Sequence, residues 1–250
     1  MKNTLKYLGT MFAMVLLMTG CGSKSAEDTF IEAIDKTNDV KNLKFAMKVD
    51  ASVSAQGTTM GIGMNIEGEG DEEAAHLTGK VSVLGMEQEM EVYTLEKDDV
   101  MYTYKKDESG KWTYSKEALN KEIKMNTEEV LKKLKEYKSI KKVKSDKKGY
   151  TKLEVVYDGK KLNELTSNET VKENLGKDVK IEKDLVINVY VKDGYIAIVS
   201  VDLTDLAKDL VKEQGYEVKA TITVEMSKFN KVSEVTVPEE VINNAKEEVE

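Results

Sequence analysis

The chain has one cysteine, one proline, one histidine and one tryptophan in 250 residues, and no arginine. A single thiol forms no internal disulfide, so the fold depends on its core and its hydrogen bonds. Without arginine the planar, two-pronged donor for phosphate and carboxylate recognition is missing. One histidine cannot assemble a histidine zinc site, and no G-x-S-x-G, Walker A or H-E-x-x-H pattern appears. These gaps predict a protein that is not an enzyme and carries no metal or cofactor. With 38 lysines against 46 acidic residues the formal charge is −8, which disfavours nonspecific nucleic-acid binding. Beyond residue 21 the apolar runs reach only four to six residues, far from the ~20 of a membrane-spanning helix.

What the chain does have begins at its N-terminus. Lys2 and Lys6 form a positive region, Leu8 to Met18 a short apolar region, and Thr19-Gly20 the small residues before Cys21. This pattern resembles the bacterial lipobox, with Met18 where leucine is more usual. The resemblance implies a signal peptide over residues 1–20 and a lipid attached at the Cys21 sulfur. It also implies a mature protein on the extracytoplasmic face of the cell membrane. Two acyl chains, at about 0.8 kcal/mol per buried CH2, make such an anchor stable. Loss of Lys2 and Lys6 leaves 36 lysines against 46 acidic residues, a formal charge of −10. An arginine-free, lysine-rich chain with Gly22 after the cysteine resembles lipoproteins of low-GC Gram-positive bacteria. Residues 21–25 form a short tether, Gly22 to Ser25 spanning about 14 Å at full extension, so the domain is expected to sit close to the bilayer.

The rest of the chain, 26–250, reads as one α+β domain. Ala26 to Thr37 has a helical pattern, with Phe30, Ala33 and Ile34 on one side and an acidic first turn. The period then changes to two. Leu43, Phe45, Met47, Val49, Ala51 and Val53 alternate with polar residues, as do Met60, Ile62, Met64 and Ile66. Further short runs around Val81, Met90, Tyr102 and Trp112, separated by Gly- and Asp-rich turns, complete a meander of about six strands. Helices are expected over Ser115–Lys124 and from Asn126 onward, and helix or an irregular lid over Asp158–Gly176. A strand from Thr151 and a hairpin about Asp193-Gly194 follow, with Leu185 to Val191 before the turn and Tyr195, Ala197, Val199 and Val201 alternating after it. Thr204 is expected to open a short helix, Tyr216 to Met226 forms the longest alternation, and Pro238 fits the first turn of a C-terminal helix.

Strands with one apolar face need a cover, and the helices are the available one. The expected architecture is therefore a large curved antiparallel sheet, a half-barrel, with helices on its concave face. The order of lipobox, first helix and antiparallel strands resembles the LolA-like and LppX/LprG-like lipoproteins. The local echoes are Asn42-Leu43-Lys44-Phe45-Ala46-Met47, Met101-Tyr102-Thr103-Tyr104 with Gly110-Lys111-Trp112, and Phe229-Asn230-Lys231-Val232 with Val237-Pro238-Glu239-Glu240. The resemblance implies a lipid or other apolar ligand between sheet and helices. The candidate lining residues are Phe45, Met47, Met60, Ile62, Met64, Met90, Val189, Val199, Ile222 and Val224. The alternative is a structural or interaction lipoprotein of the cell envelope whose protein partner the sequence does not identify.

Other features read as structure. His76 is expected to be an ordinary sheet histidine. Gly61 and Gly63 lie within a strand, where glycine permits close packing or strong curvature. The M-x3-M pairs Met60/Met64 and Met86/Met90 would stand about 13 Å apart along a strand, too far to share copper. Their thioethers serve either as core or as an adaptable apolar wall. Glu87, Glu89 and Glu91 project from one strand face as solvated edge protection. The lysines between 132 and 148 form a solvated helix face or one turned to anionic headgroups, where each lysine is worth about 1 kcal/mol.

Overall fold

The computed structural model describes residues 24–55, 57–71, 73–107, 109–118, 134–165, 181–211 and 216–248. Cys21, the expected lipid-attachment residue, the leader and the helix expected from Asn126 to residue 133 lie outside the described residues.

Helix α1 (Ala26–Asn38) begins where Ser25 caps it, the hydroxyl accepting from the Asp28 amide at 2.9 Å. Six strands then follow in meander order: β1 (Asn42–Ala55), β2 (Thr58–Asp71), β3 (Ala74–Val83), β4 (Met86–Lys97), β5 (Val100–Lys106) and β6 (Trp112–Ala118). The second half comprises β7 (Ser139–Val143), β8 (Thr151–Tyr157), α2 (Gly159–Leu165), β9 (Leu185–Lys192), β10 (Tyr195–Asp202), α3 (Thr204–Val211), β11 (Glu217–Ser227), α4 (Glu239–Asn244) and the two-residue β12 (Lys246–Glu247).

All twelve strands join one open, curved sheet in the order β12-β6-β5-β4-β3-β2-β1-β11-β10-β9-β8-β7. Every pairing is antiparallel except β12 beside β6. The two meanders meet where the longest strand pairs lie, β1 between β2 and β11. Two-residue turns at Leu84-Gly85, Asp98-Asp99 and Asp193-Gly194 have both residues at positive φ. That geometry matches the right-handed strand twist, which is why short Gly- and Asp-containing connections suffice. The half-barrel architecture implied by the resemblance is present.

The two sheet faces have different covers. On one face, α1 lays Phe30, Ala33 and Ile34 over Leu153, Val155, Tyr157, Val189 and Val191 of β8 and β9. Phe30 meets Tyr137 edge-on at 5.8 Å, and the Tyr157 hydroxyl donates to the Leu134 carbonyl at 2.7 Å. On the opposite face, α4 and its flanks press Val237, Val241 and Ala245 onto Tyr93, Leu95, Tyr102, Tyr104, Trp112 and Tyr114 of β4–β6. Helices thus pack on both faces, whereas the sequence pattern suggested one. The reason is residue type: the face that β1–β3 give to charged side chains carries the aromatics Tyr93, Tyr104 and Tyr114 on β4–β6, where the C-terminal segment covers them.

Four further local expectations are corrected. Ser115–Ala118 continues β6 and is not helical, and the rest of that expected helix lies outside the described residues. The lysine-rich stretch contains a strand: Lys141 and Lys142 lie on β7, the sheet edge, where charge discourages pairing with another chain. A bulge between Ile196 and Ile198 breaks the expected alternation of the hairpin, so Ile196 and Val199 share a face while Tyr195 points the other way. Pro238 is the N-cap of α4, one position before its first turn.

Candidate ligand-binding face

Register decides which residues meet. Directly opposed residues in an antiparallel sheet share a face, and the pairings link into rows across the sheet. One row runs Leu153, Val189, Val199, Val224, Met47, Ile66, Gly79, Met90, crossing eight strands from β8 to β4. At about 4.8 Å per strand it is roughly 34 Å long. The next row runs Val155, Ile187, Val201, Ile222, Val49, Met64, Val81, Gln88. A third joins Ala220, Ala51, Ile62, Val83 and Met86, and a fourth Val218, Val53 and Met60.

All ten candidate lining residues therefore stand on the same face, the one that carries α1. Phe45 sits there too, opposite Met226 and Gly68. Among the described residues, no side chain that β8, β9, β10, β11, β1, β2 or β3 places on this face is charged. The charges of these strands, including Lys44, Lys48, Asp50, Glu67, Lys80, Glu154 and Lys219, point from the other face. All seven described methionines (Met47, Met60, Met64, Met86, Met90, Met101 and Met226) belong to this face, and only Met101, on β5, stands there between charged neighbours, Glu96 and Glu117.

Cover on this face is graded. Leu153 and Val189 are 0% and 3% exposed beneath α1, while Ile62 is 50%, Met60 47% and Met86 71% exposed at the far corner. Phe45, Met47, Met64, Met90, Val199, Ile222 and Val224 are half-buried between these limits. Val189, expected as a lining residue, is packed beneath α1 in the core cluster with Phe30, Ala33 and Ile34. The accessible part of the face begins where α1 ends its cover. A hollow of ≈ 260 Å³ opens at one end of it, beside Leu43, Phe45, Gly70 and Ala75.

A concavity of ≈ 1110 Å³ is lined from the opposite face by Asn65, Glu67, Lys80, Glu87, Glu89, Glu91 and Lys106, with Val81, Val83, Met86 and Met90 also contributing. Two of its carboxylates form ion pairs, Glu89 with Lys80 at 2.9 Å and Glu91 with Lys106 at 3.1 Å. Burial pushes the Glu91 carboxyl up, but the Lys106 and His76 hydrogen bonds outweigh it and hold Glu91 below the usual glutamate range. His76 stacks on Tyr93 at 4.2 Å and contacts Glu91 at 3.3 Å, a sheet histidine within a hydrogen-bonded network. No group of three or more His, Cys, Asp or Glu suited to a metal occurs among the described residues.

Close packing, one of the two roles expected of the strand glycines, falls at other positions. A Cβ on Gly61 or Gly63 meets nothing closer than 3.8 Å, so neither is required by close packing. The tight positions are Gly68, under the Phe45 ring, and Gly70 and Gly79, where a Cβ would strike neighbouring backbone at 2.3 and 2.6 Å. Sequence reasoning missed these because a glycine's neighbour across the sheet is set by register. It also missed the strap of residues 237–247; the signal available was the aromatic content of the runs around Tyr102 and Trp112, which needs a cover on its own side.

Among solved structures the chain is similar to LprF from Mycobacterium bovis, with 11% identity over 85% of this chain and 95% of that one and a TM-score of 0.44. It is also similar to a DUF1329 family protein from Desulfovibrio piger, with 10% identity over 82% of this chain and 92% of that one and a TM-score of 0.23. No curated protein matches the sequence. Residues 25–246, spanning α1 to the start of β12, match a family of unknown function, DUF6612, and the chain belongs to that family.

Proposed function

We propose that this protein is a membrane-anchored, extracytoplasmic lipoprotein that holds an apolar, lipid-like ligand on the open part of its uncharged sheet face. The observation that carries the reading is the combination of rows free of charge across seven strands with exposure that rises from Val189 to Met86. Contiguous apolar surface of this kind is uncommon on a protein that meets only water. A ligand there gains free energy from apolar burial, with few polar contacts to select a headgroup. The headgroup of an amphiphilic ligand belongs at the perimeter, since a charge on the rows themselves would be desolvated without a partner.

The lipobox at Cys21 supports the anchor. No described helix is long and apolar enough to cross a membrane. The reading assigns no catalytic residue, cofactor or metal, and no nucleic-acid partner. An interaction lipoprotein of the cell envelope is the second reading, and the exposed corner at Met60, Ile62, Leu84 and Met86 favours it if that corner meets a protein.

Native mass spectrometry separates them. A chain beginning at Gly22 retains every described element. A discrete lipid mass that co-purifies and is lost on denaturation supports the ligand reading. A protein that stays free of lipid after incubation with membrane extract overturns it in favour of the interaction module.

A further inference from the structure

We propose that Met60 and Met86 are oxidation sites through which peroxide weakens ligand retention on the uncharged face. This inference rests on the ligand reading above and adds regulation to it. Two observations carry it. Every described methionine lies on the face that carries α1, which β8–β11 and β1–β3 leave without charge, and the other face has none among the described residues. Of these seven, Met60 and Met86 are the two exposed ones, at 47% and 71%, and they sit at the open corner beside Ile62 and Val83.

The chemistry needs only an oxidant of the peroxide class outside the membrane. A lone pair on the thioether sulfur attacks one oxygen of hydrogen peroxide and the O–O bond breaks. The sulfoxide forms as water leaves, so sulfur loses two electrons and peroxide gains two. A flexible apolar side chain thereby becomes a polar one on a part of the face where the neighbouring strands β1–β3 place only uncharged side chains. An acyl chain laid across that corner then has to leave the sulfoxide oxygen desolvated or withdraw from it. Exposure makes these two thioethers react ahead of the half-buried Met47, Met64 and Met90. The fold itself is spared, because the core beneath α1 contains no methionine among its buried residues.

The test uses the chain beginning at Gly22 and pyrene-labelled palmitate as the probe, before and after limited hydrogen peroxide, with peptide mass spectrometry to locate added oxygen. The expected result is oxidation first at Met60 and Met86, an unchanged far-ultraviolet circular dichroism spectrum and about tenfold weaker probe binding. Methionine sulfoxide reductases should restore binding. Whatever the untreated M60L/M86L variant binds, its probe affinity should stay at that level after the same treatment, because leucine takes up no oxygen. Complete oxidation of both residues with binding unchanged overturns the inference while leaving the ligand reading intact. Equal loss in wild type and M60L/M86L also overturns it, by assigning the effect to other residues. Absence of probe binding by the unoxidised protein overturns the ligand reading, and this inference with it.

Discussion

The ring of Phe45 lies over Gly68, its direct partner across the β1–β2 ladder, in the space a side chain would fill. A Cβ on Gly68 would stand 2.6 Å from both Cε1 and Cζ of that ring. The pair combines an aromatic side chain with a strand glycine so that neither leaves a void at the join of the two meanders. Gly68→Ala should therefore destabilise the protein by about 1–3 kcal/mol through overpacking. Phe45→Leu in the same chain should recover part of that loss. Urea unfolding of the two single variants and the double variant measures the coupling, and strictly additive effects would show that the contact is not the cause.

Residues on the same face should respond according to their cover. Leu153→Ala, beneath α1, should cost about 2–5 kcal/mol, as cavity-forming core substitutions do. Ile62→Ala, half exposed at the open corner, should stay near 1 kcal/mol or below. Similar midpoint shifts for the two would contradict the graded cover.

A charge tests ligand binding separately from folding. Ile62→Lys places an ammonium on the uncharged face at a position open enough to keep it hydrated, so stability should change by about 1 kcal/mol or less while apolar probe binding falls about tenfold. Ser82→Lys, on the opposite face of the neighbouring strand, is the control and should bind the probe like the parent. Loss of binding in both variants would point to a nonspecific charge effect.

The single tryptophan reports on the C-terminal strap. Val241 is 2% exposed and packs with Val237 against the cluster that contains Tyr104 and Trp112. The Glu247 carboxylate accepts from the Tyr114 hydroxyl at 3.0 Å and pairs with Lys116 at 2.7 Å. Val241→Ala should cost about 1–3 kcal/mol and shift the Trp112 emission to longer wavelength as water reaches the indole. An unchanged emission maximum would mean that the strap does not shield the cluster.

Acid should weaken the network at β4. Glu91 titrates below its ordinary value of 4.5 in the folded protein, because Lys106 and His76 outweigh the effect of burial. A carboxyl with a depressed folded pKa contributes stability that is fully present above the unfolded value and is lost as pH falls through the folded one. The urea midpoint should thus decline below about pH 4.5, and Glu91→Gln should flatten part of that decline. The comparison of the two slopes between about pH 5 and 3 is the measurement; identical slopes would remove Glu91 from the account.

Local chemistry alone set much of this protein. The alternation from Leu43 to Val53 and from Tyr216 to Met226 requires strands with one apolar face, because successive side chains in a strand point to opposite sides. Ser25 and the acidic first turn fix where α1 begins, and Asp193-Gly194 fixes a hairpin. The face shared by Phe45, Met47, Ile62, Met64 and Val224 was legible as well, since each is an apolar member of its own alternation. What lay beyond the sequence depends on partners distant along the chain. Register brings Met47 between Val224 and Ile66, and only then do separate strands make one uncharged surface. Docking of α1 decides that Val189 is core while Ile62 is open, although the two have the same local pattern. The strap from Val237 decides which side the aromatics of β4–β6 face. Period-two patterning fixes that a side chain alternates, but long-range packing chooses the neighbours and the cover, and those choices separate buried core from candidate binding surface.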